Sequence, residues 1–142
     1  KWISRLEASE GDCVITNVGR VGALAQIPPG LHAALGRNMT AIRCKDDYSF
    51  PAFLIVCLMS DFMREEINIK TDTGTILDAL NVKNIPLLRF SLAPKPVLAA
   101  FEKVVRPLRA HMEANLAQSR TLASIRDALL PRLLSGEVRV KG

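Results

Sequence analysis

The sequence lacks the segments that would assign it to a membrane or disulfide-rich class. Its longest apolar run, residues 50–59, is far shorter than the roughly 20 residues that span a bilayer. The three cysteines have no Cys-x-x-Cys spacing, which argues against a disulfide framework or a zinc site and favours the reducing cytoplasm. No repeat with a period of about 20–50 residues is present, which argues against a solenoid. The chain begins with Lys1 and has no secretory leader, so we expect a fragment or a processed product.

Recognisable catalytic motifs are also missing. The segment Gly19-Arg20-Val21-Gly22 has neither the Gly-x-Gly-x-x-Gly pattern nor a following Gly-Lys-Ser/Thr, so nucleotide binding is not predicted. His32 and His111 have no neighbouring serine or cysteine in a nucleophile context. A metal-dependent nuclease needs clustered carboxylates, whereas the Glu65-Glu66 pair fits a solvated helix surface better. The sequence therefore predicts no enzyme activity, no cofactor and no metal, and a small nuclease is the least favoured alternative.

The composition is that of a globular protein whose charge is unevenly divided. Apolar residues make up 49% of the 142-residue chain and charged residues 23%. Residues 1–93 carry ten basic and ten acidic side chains, whereas residues 94–142 carry nine basic and four acidic ones. The net charge of +5 therefore lies in the C-terminal third. This excess fits a polyanionic partner such as DNA, and it also fits a solvated helix face.

Residues 1–93 have the pattern of a mixed α/β domain. Glycine, proline and charged residues bound runs rich in β-branched or other apolar side chains. Strands are predicted over residues 13–18, 23–27, 39–44 and 87–92. Ser49 is predicted to cap a helix over residues 50–67, with Pro51 tolerated in its first turn, and residues 70–75 read as a polar loop.

Residues 94–142 have the pattern of one long helix after a proline joint. Pro94 and Pro96 predict a stiff extended segment, followed by a helix over about residues 97–134. Side chains repeat in sevens along it, as in a coiled coil. The predicted interface residues are Leu98, Phe101, Val105, Leu108, Met112, Asn115, Leu122, Leu129 and Leu133. Roughly 38 residues form a rod of about 55 Å. A small domain cannot cover such a rod, so we expect a second helix, with a homodimer in isolation. The alternative is a helix that folds back on its own domain.

Polar side chains at strand ends and in loops could recognise DNA. Arginine reads guanine edges, asparagine reads adenine, and threonine and lysine contact phosphates or a thymine methyl group. The predicted DNA-binding residues are Thr16, Asn17, Arg20, Arg37, Asn38, Lys70, Thr71, Thr73 and Thr75. Polar loops are common in soluble proteins, so this pattern alone is weak support for DNA binding.

Several segments resemble type I restriction–modification specificity subunits. Residues 11–22 (GDCVITNVGRVG) resemble the family's GD-hydrophobic-hydrophobic-T-x-x-G-x-x-G segment, and residues 36–43 (GRNMTAIR) resemble the strand that follows it. Thr73-Gly74-Thr75 and Ile85-Pro86-Leu87 stand where the family has its last loop and strand. The most specific match is residues 122–138 (LASIRDALLPRLLSGEV), close to the family ending L-x-x-x-R-D-x-L-L-P-x-L-L-S-G-E. The Glu-Gln that commonly follows the joint's prolines is absent here.

The resemblance implies an α+β chain with two parts. Residues 1–93 would be a partial target-recognition domain, and residues 94–142 the joint and conserved spacer helix. A whole subunit is similar to two such units in tandem, which clamp double-stranded DNA and dock DNA methyltransferase and restriction subunits. The expected function is sequence-specific, non-catalytic DNA recognition in the cytoplasm. The alternative is a truncated assembly module that binds a methyltransferase, or itself, through the long helix.

Overall fold

The computed structural model describes residues 7–44, 49–74 and 76–138. The chain divides into two compact units, Lys1–Arg106 and Pro107–Gly142, and the boundary lies within the long C-terminal helix. Small antiparallel sheets and that helix confirm the predicted α+β class. No helix in the described ranges is both long enough and apolar enough to span a bilayer.

The described strands of the first unit are short, and their pairings are antiparallel. They are β1 Glu7–Ala8, β2 Cys13–Thr16, β3 Leu24–Gln26, β4 Ala33–Ala34, β5 Met39–Ile42, β6 Thr71–Asp72 and β7 Ala79–Leu80. β2 is the central strand of the largest sheet, where Ile15 pairs with Leu24 of β3 and with Thr40 of β5. β1 pairs with β4, and β6 pairs with β7. The first three predicted strands are therefore present, each shorter than expected.

The predicted helix over residues 50–67 is two helices, α1 Pro51–Leu58 and α2 Asp61–Ile69. The break falls at Ser60, whose extended backbone and side chain cap α2: its hydroxyl accepts the Met63 N–H at 3.2 Å. The prediction that Ser49 caps α1 is wrong. Phe50 occupies the capping position and supplies no side-chain hydrogen bond.

The predicted strand over residues 87–92 is also wrong. A 3₁₀ helix occupies Val82–Leu87, and Asn81 caps it by accepting the Lys83 N–H at 3.0 Å. Pro86 lies inside this helix and has no N–H to offer a strand ladder. The strand that closes this part of the domain is instead β7, which pairs with β6 at the start of the predicted polar loop.

The core of the first unit lies between the β2 sheet and the helices α1 and α2. Its buried residues are Cys13, Ile15, Ile55, Leu58, Met63, Ile67 and Leu80. Burying one such aliphatic side chain contributes about 1.5–3 kcal/mol. Because α2 is anchored through Met63 and Ile67, its opposite face is held at a fixed position on the domain surface.

Two buried carboxylates are satisfied by arginines at the surface. Asp12 is 3% exposed and accepts two hydrogen bonds from Arg43, at 2.7 and 2.6 Å. Glu66 accepts from Arg89 in the same way, at 3.4 and 3.0 Å. These side-chain hydrogen bonds hold the pKa of Asp12 below its ordinary 3.8 and the pKa of Glu66 below its ordinary 4.5.

Stability is therefore expected to fall in acid. A carboxyl whose pKa is lower in the folded state binds fewer protons there than in the unfolded chain. Its stabilisation is complete above the ordinary pKa and is lost as the pH falls through the folded value. Urea unfolding from about pH 6 to about pH 3 should show this decline, and Arg43→Gln should show a shallower one. Equal pH dependence in the two proteins would contradict the assignment.

The third helix, α3, covers Lys95–Leu134 and so begins two residues before the predicted start. The first turn of a helix tolerates proline, because its N–H groups have no intrahelical partner, and Pro96 lies in that turn. Pro107 and Pro131 lie inside the helix. Each of them removes one backbone hydrogen bond from the helical ladder.

The start of α3 is fixed within the first unit. Leu98 is 1% exposed, and the Phe101 ring meets Phe53 of α1 edge to face, with centroids 5.9 Å apart. The Glu102 carboxylate accepts the N–H groups of Ala52 and Phe53, each at 3.1 Å. These are unpaired donors in the first turn of α1, where Phe50 provides no cap. A side chain fifty residues downstream therefore caps α1.

Glu102→Ala is expected to destabilise the chain by about 1–2 kcal/mol, the usual cost of losing a helix cap. The variant leaves two backbone N–H groups without their acceptor and removes a negative charge from the positive end of α1. Denaturant unfolding measures the change. Glu113→Ala is the control, because it removes the same charge from α3, where Glu113 forms an i,i+4 pair with Arg109 at 3.7 Å. Equal stability losses in the two variants would refute the capping role.

Candidate nucleic-acid interface

Asn17 joins three loops at one end of the β2 sheet. Its N–H donates to the Asn38 carbonyl at 2.7 Å, and its carbonyl accepts the Leu80 N–H at 2.7 Å. Its side-chain amide donates to the Leu80 carbonyl at 3.2 Å and accepts the Thr40 hydroxyl at 2.8 Å. The side chain is 4% exposed. The structure therefore places the predicted DNA-binding residue Asn17 where its polar atoms hold the three loops together.

The first of these loops follows β2 and carries Arg20. The Thr16 hydroxyl donates to the Arg20 carbonyl and accepts the Ala23 N–H at 3.1 Å, while the Gly19 N–H donates to the Asp78 carbonyl at 3.1 Å. Gly19 and Gly22 both have positive φ angles, which permit this tight turn. Thr16 therefore fixes the loop, and Arg20 is the exposed charged side chain that the loop presents.

The second loop is the turn before β5, which carries Arg37 and Asn38. Both are exposed, and Asn38 has a φ of 66°, a conformation that asparagine tolerates better than most residues. The carbonyl of Asn38 is the acceptor for Asn17, so the backbone of this turn is tied to β2. Both side chains therefore extend from a fixed backbone.

The third loop is the β6–β7 hairpin, which an isolated bridge between Val18 and Ala79 links to the first loop. Thr71 is half-buried. Its hydroxyl donates to the Ile67 carbonyl at 2.7 Å, so this side chain pairs a carbonyl at the C-terminal end of α2. Lys70 is half-buried and Thr73 is exposed. Thr75 lies outside the described residues.

The described members of the predicted DNA-binding set lie on or beside the three loops that Asn17 joins, and they differ in role. Thr16, Asn17 and Thr71 maintain the loops, whereas Arg20, Arg37, Asn38 and Thr73 present exposed side chains. Exposed donors and acceptors on a fixed backbone are suited to hydrogen bonding with base edges and phosphates. Within the part of the chain that the structure describes, no three His, Cys, Asp or Glu side chains are grouped to hold a metal ion.

Comparison with known proteins supports the resemblance seen in the sequence. The chain is 37% identical over 89 residues to the type I restriction enzyme MjaIX specificity subunit of Methanocaldococcus jannaschii. The chain is therefore similar, over part of its length, to a type I specificity subunit. The aligned region covers 63% of this chain and 20% of the relative, so the chain spans about a fifth of that specificity subunit's length. No protein-family model matches the chain.

The predicted interface residues of α3 also fall into two groups. Leu98 is buried within the first unit, where it contributes to the domain's own packing, and Phe101 and Val105 are half-buried there. The remaining residues belong to the second unit and are exposed. They are Leu108, Met112, Asn115, Leu122, Leu129 and Leu133. An exposed apolar row of this length on one helix is typical of an unfilled protein interface.

Proposed function

We propose that the chain is a DNA-recognition part of a type I restriction–modification complex. It binds one double-stranded DNA sequence, catalyses no reaction itself, and directs methyltransferase and restriction subunits to that site in the cytoplasm. The observation that carries the proposal is the convergence of three loops on Asn17, because these loops carry the exposed residues Arg20, Arg37, Asn38 and Thr73. The relationship to a specificity subunit supports the same assignment.

The long helix serves assembly in this proposal. Its exposed row from Leu108 to Leu133 requires another helix, which a second copy of the chain supplies in isolation and which a tandem unit or a methyltransferase subunit supplies in a complex. A pure assembly module without sequence preference is the second candidate function. The same exposed row favours an assembly module, and a measurement of sequence-specific DNA binding distinguishes the two candidate functions.

The test is selection from a pool of random-sequence duplexes. The full chain is immobilised, bound duplexes are amplified over several rounds, and affinity is then measured for the selected duplex and a scrambled one. The proposal requires enrichment of one sequence, tighter binding to it, and affinity that falls as salt rises. A chain that enriches no sequence and binds both duplexes equally is an assembly module instead.

A further inference from the structure

A pocket of about 280 Å³ lies between the Arg20 loop and α2. Arg20 lines it from the loop, and Arg64 and Asn68, one helical turn apart, line it from α2. Leu58 and Ile67 are also among the lining residues, so the walls are partly apolar. Arg64 and Asn68 are not among the residues that the sequence pattern indicated.

The two guanidinium groups in this pocket retain hydrogen-bond donors. Arg64 forms an ion pair with Asp61 at 2.8 Å, in which both side chains are largely exposed, at 69% and 92%. Such a pair is weak in water. It engages one nitrogen of the Arg64 guanidinium group, whose three nitrogens carry five N–H donors in all. Arg20 forms no salt bridge with any residue in the described ranges. The pocket is therefore rich in cationic donors.

The walls of the pocket are held in place. A Cβ on Gly22 would lie 3.4 Å from the Ile67 side chain, so the loop backbone packs directly against α2. Thr16 fixes the loop from the other side, and Ile67 and Met63 are buried in the core. The arginines consequently extend from two elements whose spacing is set by the fold.

We propose that this pocket binds a phosphodiester group of the DNA backbone, with Arg20, Arg64 and Asn68 donating to its oxygens. The proposal rests on the proposed function. Paired guanidinium groups match the geometry and charge of a phosphate. A base inside a duplex is stacked and cannot enter a recess without being flipped out, whereas phosphates line the outside of the helix. Contacts of this kind fix the position of the protein on DNA and leave sequence reading to the other loops.

Arg64→Ala is the decisive variant. Loss of one phosphate contact should weaken binding to the selected and scrambled duplexes by the same factor, about eightfold at 0.1 M salt, and should lower the slope of log affinity against log salt by about 0.9. Asn68→Ala should weaken both duplexes equally without changing the slope. The matched control is Arg126→Ala, since Arg126 is 68% exposed and paired with Asp127, almost as Arg64 is paired with Asp61. Arg126→Ala should change the DNA affinity and the salt slope by less than Arg64→Ala does.

A neutral phosphate gives an independent measurement. Methylphosphonate is substituted at single positions along the selected duplex, and the position is found at which wild-type binding falls and Arg64→Ala binding does not fall further. Such a position supports phosphate binding in the pocket. If no position behaves in this way, the phosphate assignment is overturned. The measurement compares the two proteins on the same DNA, so it does not depend on how stable the variant is.

Each remaining outcome has one meaning. A loss confined to the selected duplex would make Arg64 a base-reading residue and overturn the phosphate assignment. Behaviour equal to that of Arg126→Ala would overturn the pocket and leave the proposed function standing, provided that the wild type still prefers its selected sequence. If the wild type shows no preference, the proposed function fails, while an equal loss with the lower slope still supports the pocket.

Discussion

Replacing both Leu108 and Leu122 with aspartate should convert a self-associated chain into a monomer. The two side chains belong to the exposed row of α3, and burial of a carboxylate in a dry helix seam costs at least about 1–3 kcal/mol. An antiparallel pair of helices would bury four such groups, which raises the dissociation constant by at least about a thousandfold. Sedimentation equilibrium of wild type and variant measures the change.

The control places the same charges on the other side of the helix. Ala110 and Ala117 are exposed and lie outside the seven-residue row, so Ala110→Asp with Ala117→Asp alters net charge identically and should leave the assembly intact. A wild-type chain that sediments as a monomer at about 100 µM would remove the basis for the homodimer. Dissociation by the control pair would locate the interface elsewhere on α3.

Arg37→Ala should reduce the preference for the selected DNA sequence. Arg37 is exposed on the turn that Asn17 holds against β2, and a bidentate contact to a base edge contributes about 1–3 kcal/mol of discrimination. The expected loss is therefore about 5–150-fold on the selected duplex, with little change on the scrambled one. Titrations of both duplexes at one salt concentration provide the comparison.

Arg120→Ala is the counterpart on the helix. The whole basic excess lies beyond residue 93, and electrostatics alone would make α3 the DNA-binding face. The apolar row on α3 favours a protein partner instead, so removal of Arg120 should leave sequence preference unchanged. If Arg37→Ala weakens binding to both duplexes equally, the turn before β5 does not read bases. If Arg120→Ala abolishes the sequence preference, α3 reads bases instead.

The sequence predicted the elements whose signals are local. β2, β3 and β5 combine apolar or β-branched residues with glycine or proline boundaries, and they form where expected. The helix break at Ser60 was missed because the apolar and helix-forming residues continue on both sides of it. The false strand at residues 87–92 had a strand-like composition, yet Asn81 and Pro86 favour a 3₁₀ turn immediately before it.

The candidate site stays a prediction, and the sequence did not reveal that one of its residues is buried. Asn17 has the composition of a surface residue, and its burial depends on Leu80, which is 63 residues away. Periodicity likewise marked Leu98 as an interface residue without revealing that the chain's own domain covers it. Arg64 and Asn68 share a helix face, but the sequence contains no sign that this face adjoins the Arg20 loop.

The cap that Glu102 provides has a consequence for synthesis on the ribosome. The first turn of α1 emerges about fifty residues before the carboxylate that completes it. Until Glu102 has left the exit tunnel, the N–H groups of Ala52 and Phe53 have only water as a partner. A nascent chain stopped at residue 93 would therefore hold a frayed α1, and any excised recognition domain must extend past residue 102 to contain its own helix cap.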